Sequence, residues 1–186
     1  VLGACIGTDA HTVGIDAILS VKGFAGEKGL ESHREMRVIN LGAQVAIDDL
    51  VRAAQSERAD AVLVSQVVTQ RDAHLTNTTA LAKAFDAAFA DGRRPFSSGP
   101  LAGSRRPFSS GPLAGSRRPL LIVGGPRFEP AQAALLGVDR VFGRGTTPGD
   151  VASYLAHALL PAAVSTPAES VAAPVPPRCP RTSVRR

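Results

Sequence analysis

The sequence predicts an α/β fold built around one five-stranded parallel sheet. Short apolar runs alternate with amphipathic stretches along the chain, which is typical of consecutive βα units with right-handed crossovers. The third apolar run, AVLVS at 61–65, is almost wholly apolar, as expected of a strand that helices cover on both faces. Five such units in succession favour the strand order 2-1-3-4-5.

The first half of the chain supplies three βα units. Its apolar runs predict strands at 1–6, 38–41 and 61–65, and its amphipathic stretches predict helices at 12–22, 47–57 and 77–90. Asp48 and Asp49 fall in the first turn of the second helix, where carboxylates are favoured by the helix dipole. Leu81 and Phe85 lie four residues apart in the third helix and so share one face.

The second half supplies the remaining two units. Strands are predicted at 120–123 and 140–142, and helices at 130–136 and 150–160, with Pro161 ending the last helix. The complete arrangement is a flavodoxin-like (Rossmann-like) domain over 1–160. In such folds ligands bind at the carboxyl ends of the strands, beside the point where the strand order reverses.

Two segments interrupt this regular pattern. All fourteen prolines follow residue 94, and the sequence RRPFSSGPLAGS occurs at 93–104 and again at 105–116. One copy has too few apolar residues to stack as a structural repeat, so 93–118 is predicted to be a disordered loop inserted into the domain. The stretch 161–186 contains six prolines and predicts a disordered tail.

Composition excludes several partners. The net charge of +5 comes from the insertion and the tail, at +6 and +3, so the rest of the chain carries −4. With no Trp and one Tyr, base-stacking residues are scarce, and we expect no nucleic-acid partner. No apolar run approaches the ~18–20 residues of a membrane span.

Two cysteines, Cys5 and Cys179, predict a reducing, cytoplasmic compartment. The start at Val1, apolar and without Met, indicates a fragment.

The loop after the first strand carries the most chemistry. It reads GTDAHTVG, with Asp9 and His11 separated by one residue and Gly14 three residues further on. A neutral imidazole can bind a metal through one nitrogen while a carboxylate holds the other, so this pair suits a metal ligand and its orienting group. The alternative is an N-cap aspartate beside a solvated histidine.

Two further loops belong to the same predicted edge. Ser65 ends the third strand, and Gly124 and Gly125 follow the fourth. A small hydroxyl residue and a glycine pair at neighbouring strand ends leave a slot for a long ligand. Alternatively, Gly-Gly-Pro only turns the chain.

Together the three loops resemble the cobalamin-binding pattern Asp-x-His-x-x-Gly, Ser-x-Leu and Gly-Gly, with Val67 standing where the pattern has Leu. The resemblance implies a cobalamin-binding domain in which His11 is the lower ligand of cobalt and Asp9 orients it. The nucleotide tail of the cofactor would enter the slot. The residues that the resemblance assigns to cofactor binding are Asp9, His11, Gly14, Ser65, Gly124 and Gly125.

A longer resemblance covers about 1–92 and 119–160. The run GTDAHTVGIDAILSVKGFAGEKGLE looks like the small (beta) subunit of lysine 5,6-aminomutase and the matching region of ornithine 4,5-aminomutase. It implies adenosylcobalamin and pyridoxal phosphate as cofactors, radical migration of an amino group in a lysine- or ornithine-class substrate, and a role in lysine degradation. Lys22, eleven residues after His11, would be the catalytic lysine that binds pyridoxal phosphate. A large TIM-barrel-type subunit would complete the enzyme, which would be inactive without it.

The spacing of His11 and Lys22 carries an expectation of its own. If the segment is helical, both side chains share one face with Cα atoms roughly 16 Å apart, so domain movement would have to bring the cofactors together. The alternative for Lys22 is a solvated lysine at a helix C-terminus. Two other functions stay open: a non-catalytic corrinoid carrier or sensor domain, which has no use for Lys22, and an interaction module without any cofactor.

Overall fold

The computed structural model describes residues 1–68, 70–90 and 117–159. Its centre is one parallel sheet with the strand order β2-β1-β3-β4-β5, which confirms the predicted fold and topology. The strands are β1 Leu2–Cys5, β2 Ile39–Asn40, β3 Ala61–Ser65, β4 Leu120–Gly124 and β5 Arg140–Phe142.

Helices cover both faces of the sheet. They are α1 Val13–Leu19, α2 Ile47–Ser56, α3 Ala73–Ala88, α4 Ala133–Leu136 and α5 Pro148–Leu159, and the predicted helix at 130–136 is a 3-10 turn followed by α4. One apolar core lies between the sheet and helices α2, α3 and α4. A second core lies between the sheet and helices α1 and α5. None of the described helices is long and apolar enough to cross a membrane.

The strand register aligns the carboxyl ends of the central strands. Cys5 is opposite Ser65, Ser65 is opposite Gly124, and Gly124 is opposite Phe142. Because these four strands end at the same edge of a parallel sheet, the loops that follow them converge there. This edge is the one that the sequence predicted for ligand binding.

Helix α1 ends three residues earlier than predicted, at Leu19 rather than at Lys22. The chain doubles back instead, in a segment (20–29) that we call the hairpin loop. A Cβ atom on Gly23, whose φ is +64°, would lie 1.8 Å from the Glu27 carbonyl oxygen, so only glycine allows this turn. Phe24 and Glu27 exchange two backbone hydrogen bonds of 3.0 Å across it. The segment between His11 and Lys22 is therefore not one continuous helix, and the distance of roughly 16 Å that such a helix would give does not apply.

The two predicted irregular segments lie mostly outside the described residues, which omit 91–116 and everything from 160 onward. Arg118, the last residue of the predicted insertion, is described. Its guanidinium pairs with Asp86 at 3.0 Å and with Asp139 at 2.9 Å, so it is tied to α3 and to the start of β5. The packed domain therefore resumes before β4.

Candidate functional site

Asp9 is the central acceptor of the loop that follows β1. Its side chain is buried, with 2% of the residue exposed. Oδ1 accepts the backbone N–H of His11 and also contacts His11 Nδ1, each at 2.9 Å. Oδ2 accepts the backbone N–H of Val67 and, at 3.1 Å, that of Val68. The loop after β1 is thereby joined to the loop after β3.

These contacts decide the protonation state of Asp9. Burial alone raises the pKa of the carboxyl, but the hydrogen bonds from Val67, His11 and Val68 outweigh it and hold the pKa below its ordinary value. Asp9 is therefore ionised at neutral pH. The alternative that Asp9 is an N-cap is wrong, because Thr12 occupies that position of α1.

His11 presents one ring nitrogen to solvent. Its side chain is 62% exposed, and its Nδ1 faces the ionised Asp9. An ionised carboxylate accepts a hydrogen bond from an N–H group. In the neutral ring Nδ1 therefore carries the hydrogen, and Nε2 keeps its lone pair for a metal. Among the described residues, no three His, Cys, Asp or Glu side chains cluster as a metal site. The contact with Asp9 therefore leaves Nε2 of His11 able to bind a metal.

Cys5 lies beneath the His11 loop at the end of β1. The residue is fully buried, and its Sγ donates to the His11 carbonyl oxygen at 3.3 Å. Burial, followed by the charges of Asp9 and Asp16, raises the pKa of the thiol to about 11. Cys5 is therefore a protonated thiol that supports the loop.

A cavity of about 310 Å³ opens beside this loop, and we call it the slot. It runs between α1 and the region before α5, over the carboxyl ends of β3, β4 and β5. Gly14, Ser65, Gly124 and Gly125 all line the slot, so the structure brings these four predicted residues together. Its walls are mainly apolar and include Phe24 of the hairpin loop.

The slot glycines differ in what the surrounding protein demands of them. A Cβ on Gly125 would lie 2.1 Å from the Gln66 carbonyl oxygen, so packing alone requires glycine there. A Cβ on Gly14 would be 3.1 Å from Ser65 Oγ, a close contact. At Gly124 the nearest atom would be 3.6 Å away, an ordinary contact. No described neighbour requires glycine at position 124, and its absence of a side chain leaves room in the slot.

Lys22 lies apart from these residues. It is exposed on the hairpin loop and does not line the slot, whereas Phe24, two residues further on, does. The hairpin loop is anchored at both ends: Val21 N–H donates to Glu31 Oε2 at 3.0 Å, and Gly149 N–H donates to Glu27 Oε2 at 2.7 Å. No ion pair involves Lys22 within the described residues.

The sequence reasoning missed two buried polar side chains behind the site, Gln66 and Thr78. Gln66 follows β3 directly and donates to Thr78 Oγ1 at 2.8 Å. Thr78 occupies the buried stripe of α3, three and seven residues before Leu81 and Phe85. A hydroxyl on an otherwise apolar stripe is the signal that could have identified a buried polar contact.

Comparison with known proteins finds a domain family for the first half of the chain. Residues 1–89 match the B12 binding domain family. This part of the chain therefore resembles a B12-binding domain. The chain is 40% identical over 154 residues to the lysine 5,6-aminomutase beta subunit of Fusobacterium nucleatum, across 83% of this chain and 49% of that subunit. The resemblance predicted from the motifs is confirmed, and the chain spans about half the length of the lysine 5,6-aminomutase subunits that it matches.

Two further similarities agree with the B12-binding domain. The beta subunit of D-ornithine 4,5-aminomutase from Acetoanaerobium sticklandii is 28% identical over 156 residues, which cover 83% of this chain and 17% of that subunit. The crystal structure of a cobalamin-binding protein from Desulfitobacterium hafniense superposes with a TM-score of 0.54 at 16% identity, covering 84% of this chain and 57% of that one. At that identity the structural similarity supports the fold.

Proposed function

We propose that this chain is the cobalamin- and pyridoxal phosphate-binding part of an aminomutase subunit, an isomerase acting on an amino acid of the lysine or ornithine class. The observation that carries the proposal is the Asp9–His11 contact of 2.9 Å beside the slot. The similarity to lysine 5,6-aminomutase beta subunits supports the reaction class. When bound, adenosylcobalamin supplies a carbon-centred radical, and pyridoxal phosphate supplies a carbonyl carbon that carries the migrating nitrogen.

The residues of the chain have distinct tasks in this proposal. Asp9 holds Nδ1 of His11, which would leave Nε2 to act as the ligand of cobalt. The slot would hold the nucleotide tail of the cofactor, because Ser65 lies at the strand end and the bare backbone of Gly124 leaves room. Gly14 keeps α1 close to Ser65.

Lys22 supplies the amine that binds pyridoxal phosphate. It is exposed on a loop whose turn is closed by two backbone hydrogen bonds between Phe24 and Glu27, which suits an attachment point for a cofactor that must meet a substrate. The substrate pocket and the phosphate contacts would come from a large TIM-barrel-type partner subunit. The cytoplasmic location and the role in lysine degradation stay predictions.

The test of cobalamin binding compares the wild-type chain with His11→Ala. We expect titration with hydroxocobalamin to give a one-to-one complex whose absorbance spectrum shifts through histidine ligation. His11→Ala should lose that shift. His33→Ala, which removes an exposed histidine elsewhere, is the matched control. If His11→Ala gave the same spectral shift as the wild-type chain, the assignment of His11 would be contradicted.

The test of pyridoxal phosphate binding is borohydride reduction followed by peptide mass mapping. We expect a phosphopyridoxyl adduct on Lys22 and not on Lys28, which is also exposed on the hairpin loop. If both lysines were labelled equally when a candidate large subunit was present, the aminomutase assignment would be contradicted. Cobalamin binding without a specific Lys22 adduct would support the second function, a corrinoid carrier or sensor domain.

A further inference from the structure

Gln66 is a buried amide at the junction of the sheet and α3. It is 2% exposed, and its Nε2 donates to Thr78 Oγ1 at 2.8 Å and to the His74 carbonyl oxygen at 3.4 Å. Thr78 is fully buried, and its hydroxyl donates to the same carbonyl at 2.7 Å. Because the Thr78 hydrogen is committed to His74, its oxygen is left to accept from Gln66. The orientation of the amide is therefore determined.

The backbone of Gln66 is held as firmly as its side chain. Its N–H donates to the Gly124 carbonyl oxygen at 2.9 Å, and its own carbonyl oxygen packs against Gly125, where a Cβ would approach to 2.1 Å. The next two residues, Val67 and Val68, point their N–H groups at Asp9 Oδ2. The position of Gln66 thus sets the position of both donors.

From this chain of contacts we propose that Gln66 and Thr78 are positioning residues for His11. The Thr78 hydroxyl on α3 holds Gln66, Gln66 holds the amides of Val67 and Val68, and these hold Asp9, which orients the imidazole. This inference rests on the proposed role of His11 as the cobalt ligand. Helix α3 does not line the slot, but by this inference it helps to fix the orientation of the His11 ring.

The physical reason is the cost of an unpaired buried amide. Without the Thr78 hydroxyl, Gln66 Nε2 keeps only the long contact of 3.4 Å to His74. A buried donor without a good acceptor costs free energy, so we expect the Gln66 side chain to shift toward water and to strain the backbone that carries it. Since Val67 and Val68 follow directly, their contacts to Asp9 would loosen with it.

The test compares Thr78→Val with Thr78→Ser in the full chain. Valine keeps the shape and removes the hydroxyl, whereas serine keeps the hydroxyl. Thr79→Val is the matched control, because Thr79 Oγ1 makes the same kind of bond, to the Leu75 carbonyl oxygen at 2.9 Å, without touching Gln66. The readouts are the affinity for hydroxocobalamin and the histidine-ligated fraction of bound cob(II)alamin in its EPR spectrum.

We expect Thr78→Val to weaken binding by about tenfold or less and to lower the histidine-ligated fraction, because loss of a direct partner of a metal-bound histidine costs ~10–100-fold and Thr78 acts through Gln66 and Asp9. Thr78→Ser and Thr79→Val should behave like the wild type. Thr78→Val with native far-UV circular dichroism and wild-type values in both readouts would overturn the inference. If Thr78→Val does not fold, Gln66→Met is judged by the same criteria, since it leaves the Thr78–His74 bond intact. A wild-type chain without histidine ligation would instead refute the proposed function.

Discussion

Substitution of Asp9 by Asn probes the contact on which the site depends. The amide has nearly the same shape, but one acceptor oxygen becomes an NH₂ group that faces backbone N–H donors. At least two charge-assisted hydrogen bonds are lost from a residue that is 2% exposed. At ~1.5 kcal/mol for each such bond, we expect the free energy of unfolding to fall by about 3 kcal/mol. Domain stabilities of ~5–15 kcal/mol leave the variant folded.

The assay is urea unfolding at neutral pH, followed by far-UV circular dichroism. The control is Asp49→Asn, which removes a carboxylate that is 55% exposed and that pairs, among the described residues, with Arg52 across one turn of α2. An exposed pair of that kind contributes about 0.5 kcal/mol or less. Equal losses for Asp9→Asn and Asp49→Asn would refute the view that Asp9 is the buried acceptor joining two loops.

Three further outcomes follow from the same contacts. The pKa of Asp9 in the folded chain lies below 3.8, so ionised Asp9 stabilises the fold above that pH. This contribution to the free energy of unfolding is lost as the pH falls through the folded pKa. Urea unfolding should therefore show a smaller stability difference between wild type and Asp9→Asn at low pH than at neutral pH. Cys5, with a pKa of about 11 and no exposed surface, should resist iodoacetamide in the native chain and react in urea, as read by peptide mapping. Gly125→Ala should lower the unfolding midpoint, at a cost of about 1–3 kcal/mol, because its Cβ would meet the Gln66 carbonyl. Gly124→Ala should keep the wild-type midpoint and weaken cobalamin binding, and equal midpoints for the two variants would contradict the packing argument.

The order of the sheet was predictable because it depends on a pattern that the whole chain repeats. Alternating apolar runs and amphipathic stretches define βα units, and the bounds of β3 at 61–65 and β5 at 140–142 were predicted correctly. Helix ends depend instead on local turn geometry. Helix α1 ends at Leu19 because Ser20 is already extended, and the chain then turns at Gly23, whose close approach to Glu27 no periodicity reveals.

The Asp9–His11 contact was predictable for a similar reason, since both residues lie in one short loop. The amides that complete the Asp9 site come from Val67 and Val68, which lie 58 and 59 residues further along the chain. Backbone donors carry no signature in a sequence, and only the register of β1 against β3 brings them to Asp9. The link through Gln66 to Thr78 adds α3, which no motif in the sequence connects to the cobalamin pattern.

The central claim is that His11 supplies a nitrogen ligand to the cobalt of bound cobalamin. The most direct measurement is the EPR spectrum of cob(II)alamin bound to a chain whose histidines carry nitrogen-15. Ligation by His11 predicts that nitrogen-15 splits the hyperfine lines into doublets. In His11→Ala these doublets should be lost, leaving either nitrogen-14 triplets or no nitrogen splitting. Triplets that persist in the labelled wild-type complex would mean that the cofactor keeps its own nitrogen-14 base as the ligand, and that the Asp9–His11 pair serves another purpose.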